Sequence, residues 1–193
     1  MSQSINLVVV SGSPYRPSRT GTLLAALGDS LASALSVRTR VIEVADLVAD
    51  IGTALSRDQL STKADNALRA IEQADVLLVG APVFRGSVPG LFKHLFDLVA
   101  VDALIGKPVL LAATGGSARH ALVIDHQLRP LFSFFPSLVS PTGVYACPED
   151  FTDYQITDPA LKARIALVVG QALPIIAGLF PQASLGAPES LAA

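Results

Sequence analysis

The chain has 193 residues, 51% of them hydrophobic, and sets 14 Lys and Arg against 16 Asp and Glu for a formal net charge of −2. That length and apolar content suit one domain able to bury its own core, and the charge balance argues against nucleic acid or an anionic membrane surface as a main partner. A single cysteine, Cys147, excludes an intramolecular disulfide and a cysteine-built zinc cluster, and with no leader-like N-terminal segment it points to a reducing, cytoplasmic setting.

The apolar run "INLVVV" at 5–10 predicts a buried first strand. It stops in a loop broken by Gly12 and Pro14, and a helix is expected from Thr20 to Leu35. "VRTRVIEV" at 37–44 alternates with period two and reads as a second strand, "ADNALRAIEQA" as a helix, and the continuous apolar run from Val76 as a third strand. The loop "PVFRGSVPG" leads into the helix "LFKHLFDLV", followed by the strand "PVLLAA" at 108–113. After "TGGS" one helix is expected through "ARHALVIDHQLRPLFSFF", then a final strand around "SPTGVYAC" and a C-terminal helix from Pro159. Residues 165–188 carry no charge, but Pro174 and Pro181 are expected to interrupt any helix there, so the segment reads as a buried C-terminal helix rather than a membrane span. The expected organisation is one domain over 1–180 and a disordered tail over 181–193.

Near-continuous apolar strands separated by helices predict an α/β fold, a parallel sheet covered on both faces. Five such strands fit the flavodoxin-like doubly wound sheet, order 2-1-3-4-5, which binds ligands beyond the carboxyl ends of its strands. Three loops lie there: Ser11–Thr22, Pro82–Gly90 and Thr114–His120. The first lacks the Lys-Ser or Lys-Thr pair of a P-loop and the Gly-x-x-Gly spacing of a dinucleotide fingerprint. It is rich instead in hydroxyls, with Arg16 and Arg19 beside them, and opens a helix N-terminus, which favours a monophosphate without a metal. The alternative is an ordinary capped turn, with Ser18 or Thr20 as N-cap. The second loop offers backbone N–H groups and Phe84 as an apolar wall; the third exposes paired glycines at a strand end. Together they describe a cradle for a flat mononucleotide such as FMN.

"SGSPYRPSRT", "APVFRGSVPGLFKHLFDLV" and "LLAATGGSARHALVIDHQLRPLF", in that order over the first three quarters of the chain, resemble the NADPH-dependent FMN reductase family. The likeness is strongest to its sulfonate-utilisation branch, which includes the reductases of methanesulfonate monooxygenase systems. The resemblance implies hydride transfer from NADPH or NADH to FMN and delivery of reduced flavin to a flavin-dependent two-component monooxygenase. By position it implies that Ser13, Ser18, Arg19, Thr20 and Thr22 hold the phosphate, that Pro82, Val83, Phe84 and Arg85 line the isoalloxazine ring, and that Thr114, Gly115, Gly116 and Ser117 meet its pyrimidine edge. The family often has Arg directly after the Ser-Pro pair, where this chain has Tyr15 and then Arg16. In relatives serving two-component monooxygenases the helix after the TGG loop carries an inserted residue that forms a π-bulge, and here that position falls on His126, a candidate for flavin release.

No side-chain acid or base and no metal is expected, because stacked nicotinamide and flavin rings carry the chemistry. Arg85 and Arg119 flank the open face and are the expected contacts of the nicotinamide cofactor's phosphates. The helix containing "LVIDHQLRPLFSFF" has more apolar surface than a sheet-covering helix needs, which predicts a homodimer or homotetramer. Two rivals share the loops: a quinone, azo or chromate reductase that retains FMN, and an electron-carrier flavodoxin. The latter is disfavoured by the near-balanced charge and the absence of Trp.

Overall fold

The computed structural model describes residues 4–183. β1 (Ile5–Ser11) is followed by α1 (Arg19–Ala32), β2 (Val37–Glu43), a short α2 (Val48–Ile51), α3 (Thr62–Glu72), β3 (Val76–Pro82), α4 (Gly90–Asp97) and β4 (Pro108–Thr114). A π-helical turn (Ile124–Leu128) then runs into α5 (Arg129–Phe134), β5 (Leu138–Val139), β6 (Val144–Ala146), the hairpin β7 (Phe151–Thr152) and β8 (Gln155–Ile156), and α6 (Pro159–Leu179). The parallel sheet has the expected order β2-β1-β3-β4-β5. The fifth position is shared: β5 pairs with the start of β4 and β6 with its end, so the single last strand expected around 140–147 is two short ones.

Alternation along β1 sorts the core into two layers. Ile5, Leu7 and Val9 pack beneath α1 and α6, whereas Val8 and Val10 face the layer formed by α2, α3, α4 and α5. In the second layer Phe92, Phe96 and Phe132 form a run of tilted and edge-on rings 5.1 and 4.9 Å apart, which couples α4 to α5. His94 is used structurally: its Nε2 lies 2.8 Å from the Ala54 carbonyl oxygen. β2 lies at the sheet edge, so its alternating sequence leaves Ile42 alone fully buried.

The C-terminal helix departs from expectation. α6 runs unbroken for 21 residues through Pro174 and is long and apolar enough, by length and composition, to cross a membrane. Here one of its faces, including Leu161, Ile165, Val168, Val169, Ala172 and Ile176, is buried in the layer shared with α1. An internal proline costs about 3 kcal/mol, whereas each of those larger side chains contributes about 1.5–3 kcal/mol on burial, so packing overrides the break. Pro181–Ala183, read as the start of the tail, forms a 3-10 turn whose buried Ala183 accepts a 2.8 Å hydrogen bond from the Ser36 N–H. Residues 184–193 of that expected tail lie outside the described residues.

Candidate functional site

Register brings the loops together. Ser11 pairs with Gly80, Pro82 with Thr114, and Thr114 with Ala146, so β1, β3, β4 and β6 end at one level and their loops converge above it. They enclose an open cleft of about 350 Å³ lined by Ser13, Ser18, Arg19, Thr20, Pro82, Val83, Phe84, Thr114, Gly115 and Gly116. These residues come from all three loops.

The start of α1 is organised by capping. Ser18 is extended and its Oγ accepts a 3.0 Å hydrogen bond from the Gly21 N–H, making it the N-cap of α1. The cap explains why the helix starts at Arg19 and leaves the Ser18 hydroxyl proton free to donate. The Arg19 and Thr20 N–H groups have no acceptor among the described residues and stand at the positive end of a 14-residue helix, suited to an anion. Ser13 Oγ is held within its own turn by the Tyr15 backbone N–H, at 3.2 Å. Thr22 sits one turn up, its hydroxyl 3.4 Å from the Ser18 carbonyl oxygen, and does not line the cleft. Arg16 turns to the sheet edge, 2.9 Å from the Asp46 carboxylate, whereas Arg19 has no carboxylate partner among the described residues. Gly12 is required by packing: a Cβ there would come within 2.5 Å of the Phe92 ring.

In the second loop, Phe84 and Ser87 bond to each other's backbone and leave Arg85 and Gly86 as a two-residue turn with φ of 52° and 82°. This turn lifts Arg85 off the cleft wall and leaves Phe84 at its mouth. The third loop is tied from beneath, where the Tyr145 hydroxyl donates a 2.7 Å hydrogen bond to the Ser117 carbonyl oxygen. A Cβ on Gly115 would overlap that hydroxyl, so only glycine fits. Burial, with Cys147 and Glu149 nearby, pushes the Tyr145 phenol up to about 12. The Gly116 and Ser117 N–H groups have no acceptors among the described residues and are free to donate to a ligand.

Ser117, Arg85, Arg119 and His126 lie outside this cleft. Arg119 and His126 line an adjoining cleft of about 190 Å³ with Gly86, His120 and Gln127. The segment expected as one helix from 118 to 135 is a 3-10 turn, Ala118–His120, then the π turn with His126 at its centre, then α5. The Ser87 hydroxyl donates to Gln127 Oε1 at 3.1 Å, so the ring loop and the π turn are joined. Sequence reasoning missed Tyr15, Pro17, Pro148 and Tyr154, which complete the cleft wall. The signal for Tyr154 was the pattern "FTDYQIT", two short β-type runs around a two-residue turn.

Glycine-relieved loops, unpaired N–H groups at a helix start and an apolar wall fit a flat ring carrying a terminal phosphate, which is what FMN presents. The comparisons with known proteins agree. Residues 5–152 match the family model described as NADPH-dependent FMN reductase. The chain is 55% identical to the NADH-dependent FMN reductase SfnF of Pseudomonas fluorescens, covering 91% of this chain and 94% of that protein. It is 53% identical to an FMN reductase (NADPH) of Pseudomonas aeruginosa, covering 92% and 96% respectively. Among solved structures, an oxidoreductase from Corynebacterium diphtheriae superposes with a TM-score of 0.78 at 36% identity, covering 91% of this chain and 98% of that one. Loop chemistry, strand order and sequence likeness thus converge: the chain belongs to the NADPH-dependent FMN reductase family and is an oxidoreductase that uses NAD(P)H to reduce FMN.

Proposed function

We propose that this reductase releases its product, supplying reduced FMN to a flavin-dependent monooxygenase of the sulfonate-oxidising, two-component kind. The observation that carries this reading is the hydrogen bond from Ser87 to Gln127, which joins the ring loop to a π turn. A π turn is a rare single-turn insertion that is frequent at functional sites. Joined to the loop beside Phe84, it couples the helix register to the grip on the flavin. The sulfonate assignment rests on the sequence motifs that resemble that branch.

In this reading Ser13, Ser18, Arg19 and Thr20 hold the phosphate, with Thr22 bracing the helix behind them. Pro82, Val83 and Phe84 wall the ring, Thr114, Gly115 and Gly116 meet its pyrimidine edge from the cleft lining, and Ser117 reaches that edge from just outside the lining, through its N–H. Arg85 and Arg119, without carboxylate partners among the described residues, receive the nicotinamide cofactor's phosphates. The flavin supplies the hydride-accepting chemistry, and the protein supplies proximity and orientation, which are worth about 7–11 kcal/mol when the reacting atoms are held in line. A second copy covers the groove of about 780 Å³ between α4 and α5, where Phe134 is 63% exposed, in a homodimer or homotetramer.

The test is steady-state oxidation of NADPH and of NADH with and without added FMN, followed by transfer to a purified sulfonate monooxygenase. Turnover that scales with added FMN and supports the monooxygenase is expected. FMN that stays with the protein through gel filtration, with turnover only when a quinone is added, would overturn the release reading.

A further inference from the structure

The two-residue turn of the β7–β8 hairpin holds Asp153 and Tyr154 at φ of 46° and 62°. Such turns favour Asn-Gly or Asp-Gly, because both central residues need positive φ and the second is best served by glycine. Asp153 suits its place. Tyr154 does not: a bulky side chain in the left-handed region is an outlier, and such strain persists where the surroundings hold it.

The hairpin beneath is firmly seated. Phe151 is buried, Ile156 packs against the core layer of α1 and α6, the Thr157 N–H donates to the Asp150 carbonyl oxygen at 3.0 Å, and Asp150 Oδ2 accepts from the Cys147 N–H at 2.6 Å. The tip therefore projects from a rigid base. β8 lies beside α1, and Tyr154 lines the flavin cleft together with Ser18, Arg19 and Thr20 at the α1 start, while remaining 48% exposed. Phe84 lines the same cleft from the β3 loop. A half-exposed aromatic ring at the mouth of a cleft has apolar surface for a ligand to cover.

We propose that Tyr154 is a flavin-binding residue, its ring walling the cleft on the α1 side and burying itself against bound FMN, and that the strained turn is kept for this contact. The inference rests on the three-loop cleft being the flavin site.

The test is FMN binding, followed by quenching of flavin fluorescence, together with thermal unfolding of the flavin-free protein, for wild type and for Tyr154→Gly, Tyr154→Asn and Tyr154→Phe. Glycine and asparagine accept positive φ, so the flavin-free midpoint should hold or rise while FMN affinity falls about tenfold. Tyr154→Phe keeps the ring and should stay within about twofold of wild type. Unchanged affinity in Tyr154→Gly and Tyr154→Asn would overturn the proposal. A lowered flavin-free midpoint accompanying the lost affinity would also overturn it, marking the residue as merely structural. A loss in Tyr154→Phe equal to that in Tyr154→Gly would overturn the assignment to the ring. Failure of the wild type to quench FMN would overturn the flavin-site reading itself, and this contact with it.

Discussion

The hydroxyls of Thr20 and Thr114 lie 2.7 Å apart in a buried hydrogen bond between residues separated by 94 positions in the chain. One lies in the first turn of α1 and the other ends β4, and both line the cleft, so the bond ties the first loop to the third. Thr114→Val leaves the Thr20 hydroxyl buried and unpaired, which costs about 1–3 kcal/mol. The double variant Thr20→Val with Thr114→Val should be less destabilised than the sum of the singles, because neither hydroxyl is then orphaned. Urea unfolding of the four proteins measures this, and additive losses would show that the bond does not hold the loops.

Arg19, at the start of α1, has no carboxylate partner among the described residues, and its proposed partner is the FMN phosphate. Arg19→Ala should weaken FMN by about tenfold or more, the equivalent of a charge-assisted bond of about 1.5–3 kcal/mol. Riboflavin, which has no phosphate, should bind nearly as before. Parallel fluorescence titrations decide, and equal losses for both flavins would move Arg19 away from the phosphate.

His126 sits at the centre of the π turn. Deleting it should restore regular helical register, rotating the following side chains by about 100° and breaking the alignment of Gln127 with Ser87. The expected protein purifies yellow, accepts hydride once and supports a monooxygenase poorly. His126→Ala keeps the residue count and should change release less. If the deletion leaves flavin retention unchanged while His126→Ala abolishes reduction, the side chain and not the register is responsible.

Phe134 projects from α5 beside the groove opposite α4. A charge placed there by Phe134→Asp cannot be buried without a partner, so if the proposed homo-oligomer forms through this groove the variant should be monomeric at concentrations where wild type associates. Light scattering across micromolar concentrations reads the difference, and a wild type at monomer mass throughout would end the oligomer proposal.

The Tyr145 phenol is raised above its ordinary value by burial. A group whose folded pKa exceeds its unfolded value contributes stability that is fully present below the unfolded pKa and is lost as pH rises through the folded one. The window here runs from about 10 to about 12, over which ionisation removes the proton donated to Ser117. Absorbance titration of the phenols should therefore show a late step near pH 12 that is missing from Tyr145→Phe. The variant should also bind FMN more weakly at neutral pH, where the tie to the third loop is already gone.

Local pattern determined much of this protein. Runs such as Val76–Val79 are apolar on both faces because a central parallel strand is covered on both sides, so the strand order and the three loops at the carboxyl ends were legible without coordinates. Residues 11–22, 82–90 and 114–120 announced themselves through glycine, proline and hydroxyl content, since backbone that must turn or approach a ligand needs those residues. Tertiary structure alone decided which groups in those loops meet. Thr20 with Thr114, and Tyr145 beneath Gly115, depend on the relative register of β1, β3, β4 and β6, which no local pattern contains. The same holds for α6, where local propensity favours a break at Pro174 and the summed burial of a helix face outweighs it. It holds for Tyr154 too, which joins the cleft lining only once the β7–β8 hairpin is folded beside α1. Periodicity reports which side of an element is buried, because burial follows the repeat of a helix or strand; which distant side chains then touch is set by packing among elements.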